Sequence, residues 1–315
     1  MEVPTTATDL CYLPATEQRA LLRHRAISAR DLLNAYLERI DAVNPAINAI
    51  ITLDPDGATA QAQAADDAAA RGESLGPLHG LIVAHKDLRP TKGMRTTYGS
   101  PIYKDNIPTE DSAIVARMID AGAIRLGKTN VPEMGAGSHT FNPLFGPTRN
   151  PYDLGRSAGG SSGGAAAALA SGMVSLADGS DTGGSLRNPA SFCNVVGLRT
   201  TMGRNTIAPV TTGWIGFSVV GAMGRTVADT ALLQSVVAGF DPRDPGSLPG
   251  DGSEFAALAE REPQDHLRGV RVGWSPTLGG LPVDPAVTAA LERDGRPVLD
   301  ELDAGVLDID PDLEG

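Results

Sequence analysis

Serine, glycine and a few ionisable side chains crowd two short stretches whose spacing suits chemistry. Residues Ser157–Gly164 read Ser-Ala-Gly-Gly-Ser-Ser-Gly-Gly, and Gly179–Ser185 read Gly-Ser-Asp-Thr-Gly-Gly-Ser. Such runs serve as flexible turns. They also cradle phosphate, because consecutive backbone N–H groups bind anions. Neither nucleotide pattern fits, however. Gly122–Thr129 has the letters of G-x-x-x-x-G-K-[ST], but its Ala123–Leu126 reads as a strand where the motif needs a loop, and Gly155–Gly163 offers no ordered G-x-G-x-x-G after a strand. A third use is acyl transfer, which needs a hydroxyl, a base and N–H donors for the developing oxyanion. Ser185 follows two glycines, where the N–H groups of Thr182, Gly183, Gly184 and Ser185 can converge. Ser161 and Ser162 supply further hydroxyls between two Gly-Gly pairs.

A hydroxyl nucleophile requires a base. His24 and His266 lie in polar contexts, His79 and His139 in loops, and His85 abuts Lys86. Nothing in that spacing favours a Ser-His-Asp triad, although such triads assemble from distant positions. Lys86 is the better candidate. It follows the apolar run Leu81–Ala84, and burial there lowers a lysine's pKa towards neutrality. The competing reading is an ion pair with Asp87 at a strand end. Lysine is scarce, with only Lys86, Lys92, Lys104 and Lys128 against 22 arginines, so one in an apolar setting stands out.

The elements that must hold these residues follow from periodicity. A weak capping box at Ser28–Asp31 opens a helix with Leu32, Leu33, Tyr36, Leu37, Ile40 and Val43 on one face, ended by Asn44-Pro45. Ala58–Arg71 is a second helix, stopped by Gly72, and Ser112–Gly122 a third. Gly80–Ala84 and Ala123–Leu126 read as strands, the first of them buried. Ala165–Ala170 is a small-residue helix, Ser175–Asp178 a strand end and Gly179–Ser185 a turn. Asp241–Asp251 reads as a linker or surface loop, Val270–Trp274 as a strand and Asp284–Leu302 as an acidic helix. This rhythm predicts an α/β protein with a covered sheet.

Several blocks in order resemble the amidase signature family. Gly76–Asp87 looks like its lysine strand, and Gly127–Glu133 and Phe145–Pro151 resemble its next two blocks. Gly159–Gly164 followed by Asp181–Ala190 resembles the signature itself, and the likeness covers about residues 76–204. The resemblance implies a single amidase domain over 1–315, with a mixed central sheet covered by helices on both faces. It implies a Ser-Ser-Lys triad in which Ser185 is the nucleophile, Ser161 sits on a cis peptide bond and Lys86 is the base. Thr182, Gly183, Gly184 and Ser185 would form the oxyanion hole, and Ser162, Asp181 and Arg187 would brace the loops. Two features depart from the family. His85 stands where a small or apolar residue is usual, and strand alternation turns it away from the base. Members also usually continue beyond the region of Leu281–Gly315, so the last portion of the sheet and pocket is expected to be absent.

Composition bounds the rest. The 315 residues carry a net charge of −12, which argues against a nucleic-acid binder. Residues 241–315 hold 17 of the 38 Asp and Glu but only 6 of the 26 Lys and Arg, a net of −11, so the acidity belongs to the C-terminal segment and the remainder is near neutral. No apolar run approaches a membrane span, no signal peptide is evident, and Cys11 and Cys193 make neither a disulfide framework nor a metal cluster. The expectation is a cytoplasmic amide hydrolase acting on a small-molecule amide without metal or organic cofactor, with a homodimer left open. Two alternatives remain: the amidase-like subunit of a glutamine-dependent amidotransferase, and a truncated, non-catalytic member. Phe141, Leu144, Phe145, Thr212, Trp214 and Phe217 are read as core residues in preference to a pocket lining.

Overall fold

The computed structural model describes residues 4, 6–209, 214, 216–258 and 267–312. His266 and Thr212 lie outside them. The chain forms two compact units, Met1–Ala259 and Glu260–Gly315.

The first unit is built on a mixed six-stranded sheet. Its strands are β1 (Ile50–Leu53), β2 (Ile82–Lys86), β3 (Ile124–Thr129), β8 (Leu176–Asp181), β9 (Val196–Gly197) and β10 (Val219–Gly224), in the order β1-β3-β2-β8-β10-β9. The central strands β3, β2 and β8 are parallel, while β1, β10 and β9 pair antiparallel at the flanks. Between β3 and β8 lie two small ribbons: β4 (Phe141–Asn142) with β5 (Gly146–Pro147), and β6 (Arg149–Asn150) with β7 (Asp153–Ser157). Strands β2, β8 and β10 are buried at every position, as expected where helices cover a sheet.

Helices α1 (Ala7–Tyr12), α2 (Ala15–Arg23), α3 (Ala29–Ile47) and α4 (Pro55–Ala70) precede β2. Helix α5 (Ala113–Asp120) precedes β3, α6 (Gly163–Ala170) precedes β8, α7 (Arg187–Phe192) follows it, and α8 (Val227–Val237) and α9 (Ser253–Leu258) follow β10. The α3 face buries Leu32, Leu33, Tyr36 and Ile40. The phenol of Tyr36 accepts from Gln18 Nε2 at 2.8 Å. The expected capping box is formed: Ser28 Oγ accepts from Asp31 N–H at 3.0 Å and the Asp31 carboxylate from Ser28 N–H at 2.9 Å. Ser28→Ala is expected to cost about 1 kcal/mol. A lower urea midpoint at unchanged denaturant slope checks it.

Several expected boundaries move for identifiable reasons. Helix α3 runs through Pro45 to Ile47, because a proline near a helix end sacrifices one bond only. Asn44 Oδ1 then accepts from the N–H groups of Ala49 and Ile50, and Asn48 closes the helix in the left-handed conformation. Strand β8 extends to Asp181, so part of the expected turn is strand. The segment 241–251 is part of the first unit and no linker: Asp244 accepts from Ile207 N–H at 3.0 Å, and within the segment the Arg243 guanidinium holds the Asp241 carboxyl at about 2.

In the second unit, β11 (Arg271–Trp274) and β12 (Gly305–Asp308) pair in parallel. The helix expected over 284–302 is present as Pro285–Ala290 and Arg296–Glu301, joined by a π-helical turn over Leu291–Gly295. Pro297 has no N–H to continue the regular pattern, and Gly295 eases the change of winding.

Candidate active site

The site lies where two parallel strands part. Strands β2 and β8 pair only at Val83–Leu176 and Ala84–Ala177, yet both run on, to Lys86 and Asp181. A crevice at the carboxyl ends of parallel strands is the usual binding place in α/β sheets. The head of α6 fills its floor. Apart from Leu169 this helix is made of glycine and alanine, because it packs against β1, β2, β3 and β8 at close range. At Gly164 a Cβ would stand 2.2 Å from the Asn130 nitrogen, so no larger residue fits.

Lys86 is fully buried. Its Nζ lies 2.8 Å from Ser161 Oγ, 2.8 Å from Ser162 Oγ and 3.0 Å from Ser180 Oγ. The Gly160–Ser161 peptide bond is cis. Burial pushes Lys86 well below its ordinary 10.5 and the nearby Arg89 adds to this, while Asp178 and Asp181 oppose it. The alternative ion pair with Asp87 is not formed. Asp87 accepts from Thr97 N–H at 3.1 Å and Thr97 Oγ1 at 2.5 Å, and no carboxylate of the described residues lies within 4.0 Å of Lys86 Nζ. His85 takes no part in the hydroxyl cluster; its Nδ1 is 2.7 Å from Asp178 Oδ1. A second buried lysine, Lys128, donates to Arg89 O at 2.6 Å and Thr91 Oγ1 at 2.7 Å, and burial lowers it to about 8.

Asp181 organises the loop from Thr182 to Arg187. Its carboxylate accepts from Gly184 N–H at 2.8 Å, Leu186 N–H at 3.2 Å, Arg187 Nε at 3.0 Å and Arg199 Nη1 at 2.9 Å. Although burial alone would raise it, the bonds from Arg187, Gly184 and Leu186 hold Asp181 well below the ordinary carboxylate range. Gly184 has φ +124°, a conformation open to glycine, which lets the turn aim its N–H at the carboxylate. The Gly184 N–H is thereby spent. The N–H groups of Thr182, Gly183 and Ser185 make no hydrogen bond among the described residues. Ser185 O accepts from Ser162 N–H at 3.3 Å, which joins the loop to the head of α6. The Ser185 hydroxyl makes no hydrogen bond among the described residues.

Asp181→Asn is expected to destabilise the fold by about 1.5–3 kcal/mol, the scale of hydrogen bonds to a charged group. The sign follows from the depressed value. The contribution is present at neutral pH and is lost only as pH falls through the folded-state value. Chemical denaturation at descending pH checks it, with the wild type and Asp181→Asn converging in acid.

Sequence reasoning passed over Ser180, Arg199, Asp178 and Arg89. Reading Ser175–Asp181 as one strand would have signalled Ser180 and Asp178 on a shared face. Arg199, which also reaches Asp181 O, has no local signal. Phe141, Trp214 and Phe217 are not core residues: they are 62%, 86% and 73% exposed. Leu144 and Phe145 are half-buried. Among the described residues, no three His, Cys, Asp or Glu side chains are grouped as metal ligands, and no helix is long and apolar enough to cross a membrane.

The amidase family model matches residues 31–312. The chain belongs to the amidase family. It is 40% identical over 306 residues to an acylamidase of Rhodococcus erythropolis, covering 97% of this chain and 63% of that relative. It is 43% identical over 280 residues to a glutamyl-tRNA(Gln) amidotransferase subunit of Acidothermus cellulolyticus, covering 89% of this chain and 55% of that relative. Among solved structures, a bacterial aryl acylamidase of the amidase signature family superposes with a TM-score of 0.88 at 33% identity, covering 95% of this chain and 61% of that one. The chain thus spans less than two thirds of the length of these amidase-family relatives. The fold is that of the family, an α/β architecture with a mixed central sheet flanked by helices.

Proposed function

We propose that this chain carries the catalytic core of an amide hydrolase, with Lys86, Ser161 and Ser185 as its triad. The observation that carries the reading is Lys86: buried, without a carboxylate partner, and 2.8 Å from the hydroxyl of Ser161. A neutral lysine has two N–H donors and one lone pair, yet three hydroxyls stand within 3.0 Å of Nζ, so at least one hydroxyl must donate to the nitrogen. Ser162 already directs its hydrogen at Ser180 O, which favours Ser161 as a donor.

In the proposed reaction, the Ser161 hydroxyl gives its proton to Lys86 Nζ and receives one from Ser185. Ser185 Oγ bonds to the amide carbonyl carbon, and the carbonyl electrons move onto oxygen. The N–H groups of Thr182, Gly183 and Ser185 receive that oxyanion, while Asp181 holds the Gly184 N–H and so the shape of the loop. One such donor is typically worth about 10²–10³ in turnover. The proton returns through Ser161 to the leaving nitrogen as the C–N bond breaks, and water then hydrolyses the acyl ester of Ser185. Ser162 and Arg187 support the two loops. The substrate is a small carboxylic amide, the location the cytoplasm, and a homodimer is compatible with this reading. The domain arrangement proposed is one amidase domain over 1–315.

Intact-mass analysis after exposure to a fluorophosphonate probe tests the assignment. One adduct on the wild type, mapped to Ser185, is expected; an unreactive wild type, or an adduct elsewhere, overturns it. The likeness to the glutamyl-tRNA(Gln) amidotransferase favours a second reading, in which glutamine is the amide and ammonia passes to a partner. Glutaminase activity that appears only with co-expressed partner subunits would select it.

A further inference from the structure

Building on the proposed triad, we infer that Asp178 is a positioning residue for Lys86: one carboxylate oxygen holds the lysine's main chain where the β2–β8 ladder stops, and the other holds the neighbouring His85 ring. The last paired residues of the two strands are Ala84 and Ala177. One residue further along β8, the Asp178 side chain takes over from the ladder. Its Oδ2 accepts from Lys86 N–H at 3.4 Å, and its Oδ1 lies 2.7 Å from His85 Nδ1. Both His85 and Asp178 are fully buried. The carboxylate therefore bridges the strands at the point where their separation admits the Ser162 and Ser180 hydroxyls to Nζ.

The His85 contact gives this bridge its direction. His85 directly precedes Lys86 on β2, so a held His85 ring together with the held Lys86 N–H fixes the main chain from which the Lys86 side chain leaves. His85 Nε2 has no hydrogen-bond partner among the described residues, so a proton on Nδ1, donated to Asp178, leaves no buried donor unsatisfied. A buried carboxylate with two partners tolerates the loss of either poorly.

The carboxylate also bears on the proton affinity of Lys86. The charged groups around Nζ are Arg89 from the turn after β2, and Asp178 and Asp181 from β8. Lys128 on β3 is in register with His85, but its own Nζ is spent on Arg89 O and Thr91 Oγ1. Asp178 favours the ammonium form, so removing its charge makes Lys86 easier to deprotonate.

The test is the second-order rate of fluorophosphonate labelling of the full chain as a function of pH, with labelling amplitude recorded separately. The variants are Asp178→Asn, His85→Asn and His85→Leu. Asp178→Asn is expected to slow labelling at the plateau by about 10²-fold, the scale of a misplacement of ~1 Å at a reacting group. It is also expected to move the acid limb to lower pH. His85→Asn keeps a donor near the position of Nδ1 and is expected to retain more of the rate than His85→Leu. Damage to folding alone lowers the amplitude and leaves both rate constant and midpoint in place; that outcome overturns the inference. So does Asp178→Asn with wild-type kinetics. An unreactive wild type instead brings down the triad reading, and this inference with it, so the two failures are told apart by the wild-type curve.

Discussion

Ser185→Ala is expected to abolish amide turnover and fluorophosphonate labelling while leaving the fold intact. Removing the nucleophile of a coupled triad costs on the order of 10⁶ in turnover. The structure also says why the fold should survive. The Ser185 hydroxyl makes no hydrogen bond among the described residues, and the side chain is only half-buried. Its structural contribution is carried by the main chain, through Ser185 O and the Ser162 N–H. A change in stability of no more than ~0.5 kcal/mol is therefore expected, as for substitutions away from packed or buried polar features. Coincident melting curves with labelling lost would establish Ser185 as the reactive serine. Full labelling of Ser185→Ala would move the nucleophile elsewhere and undo the proposed mechanism.

The second large effect is expected at Lys86. Lys86→Met keeps much of the side-chain volume and removes the amine. Loss of a general base costs about 10²–10⁴ in rate. Wild-type activity should rise as pH increases through the folded-state pKa of Lys86, because only the neutral amine accepts the proton. The same group should mark the stability curve. With the folded value pushed below 10.5 by burial, the unfolded chain holds more protons than the folded one between those two values. The unfolding free energy therefore rises with pH across that window, and the penalty for burying the ammonium is fully present below it. Lys86→Met should lose this contribution, a slope of at most about 1.4 kcal/mol per pH unit. Lys128, held at about 8, titrates nearby in both proteins and cancels in the comparison. Equal pH slopes for wild type and Lys86→Met would mean that Lys86 is charged in the folded state, which the base role does not allow.

Much of the scaffold is legible in the sequence because its signals are local. The Ser28–Asp31 capping box, the apolar face through Leu32, Tyr36 and Ile40, and the β-branched run into Lys86 each report on a few neighbouring residues. The departures share a cause as well. Pro45 is a natural stop for α3, but Asn44 rescues the turn through bonds to Ala49 and to Ile50, the first residue of the following strand. Gly179 has the look of a turn residue. It lies inside β8 because a Cβ there would stand 2.5 Å from Leu186 Cδ2 and 2.9 Å from Ser162 Oγ. Glycine can mark close approach as well as flexibility, and only the neighbouring elements decide which. Phe141, Trp214 and Phe217 are large enough to be expected inside, yet ring size alone does not determine burial.

The sequence by itself determined the chemistry available: a lysine at the end of an apolar strand, serines between glycine pairs, and an acidic C-terminal segment set apart from a near-neutral remainder. It also determined the family, through blocks that recur in order. Tertiary structure decided which of these groups act on one another. Lys86 meets Ser161, Ser162 and Ser180 across 75, 76 and 94 residues of chain, and avoids the adjacent Asp87 that sequence proximity offered it. The physical reason is that β2 and β8 part after Ala84 and Ala177. Their separation is a property of two strands and a helix together, and no residue taken alone records it.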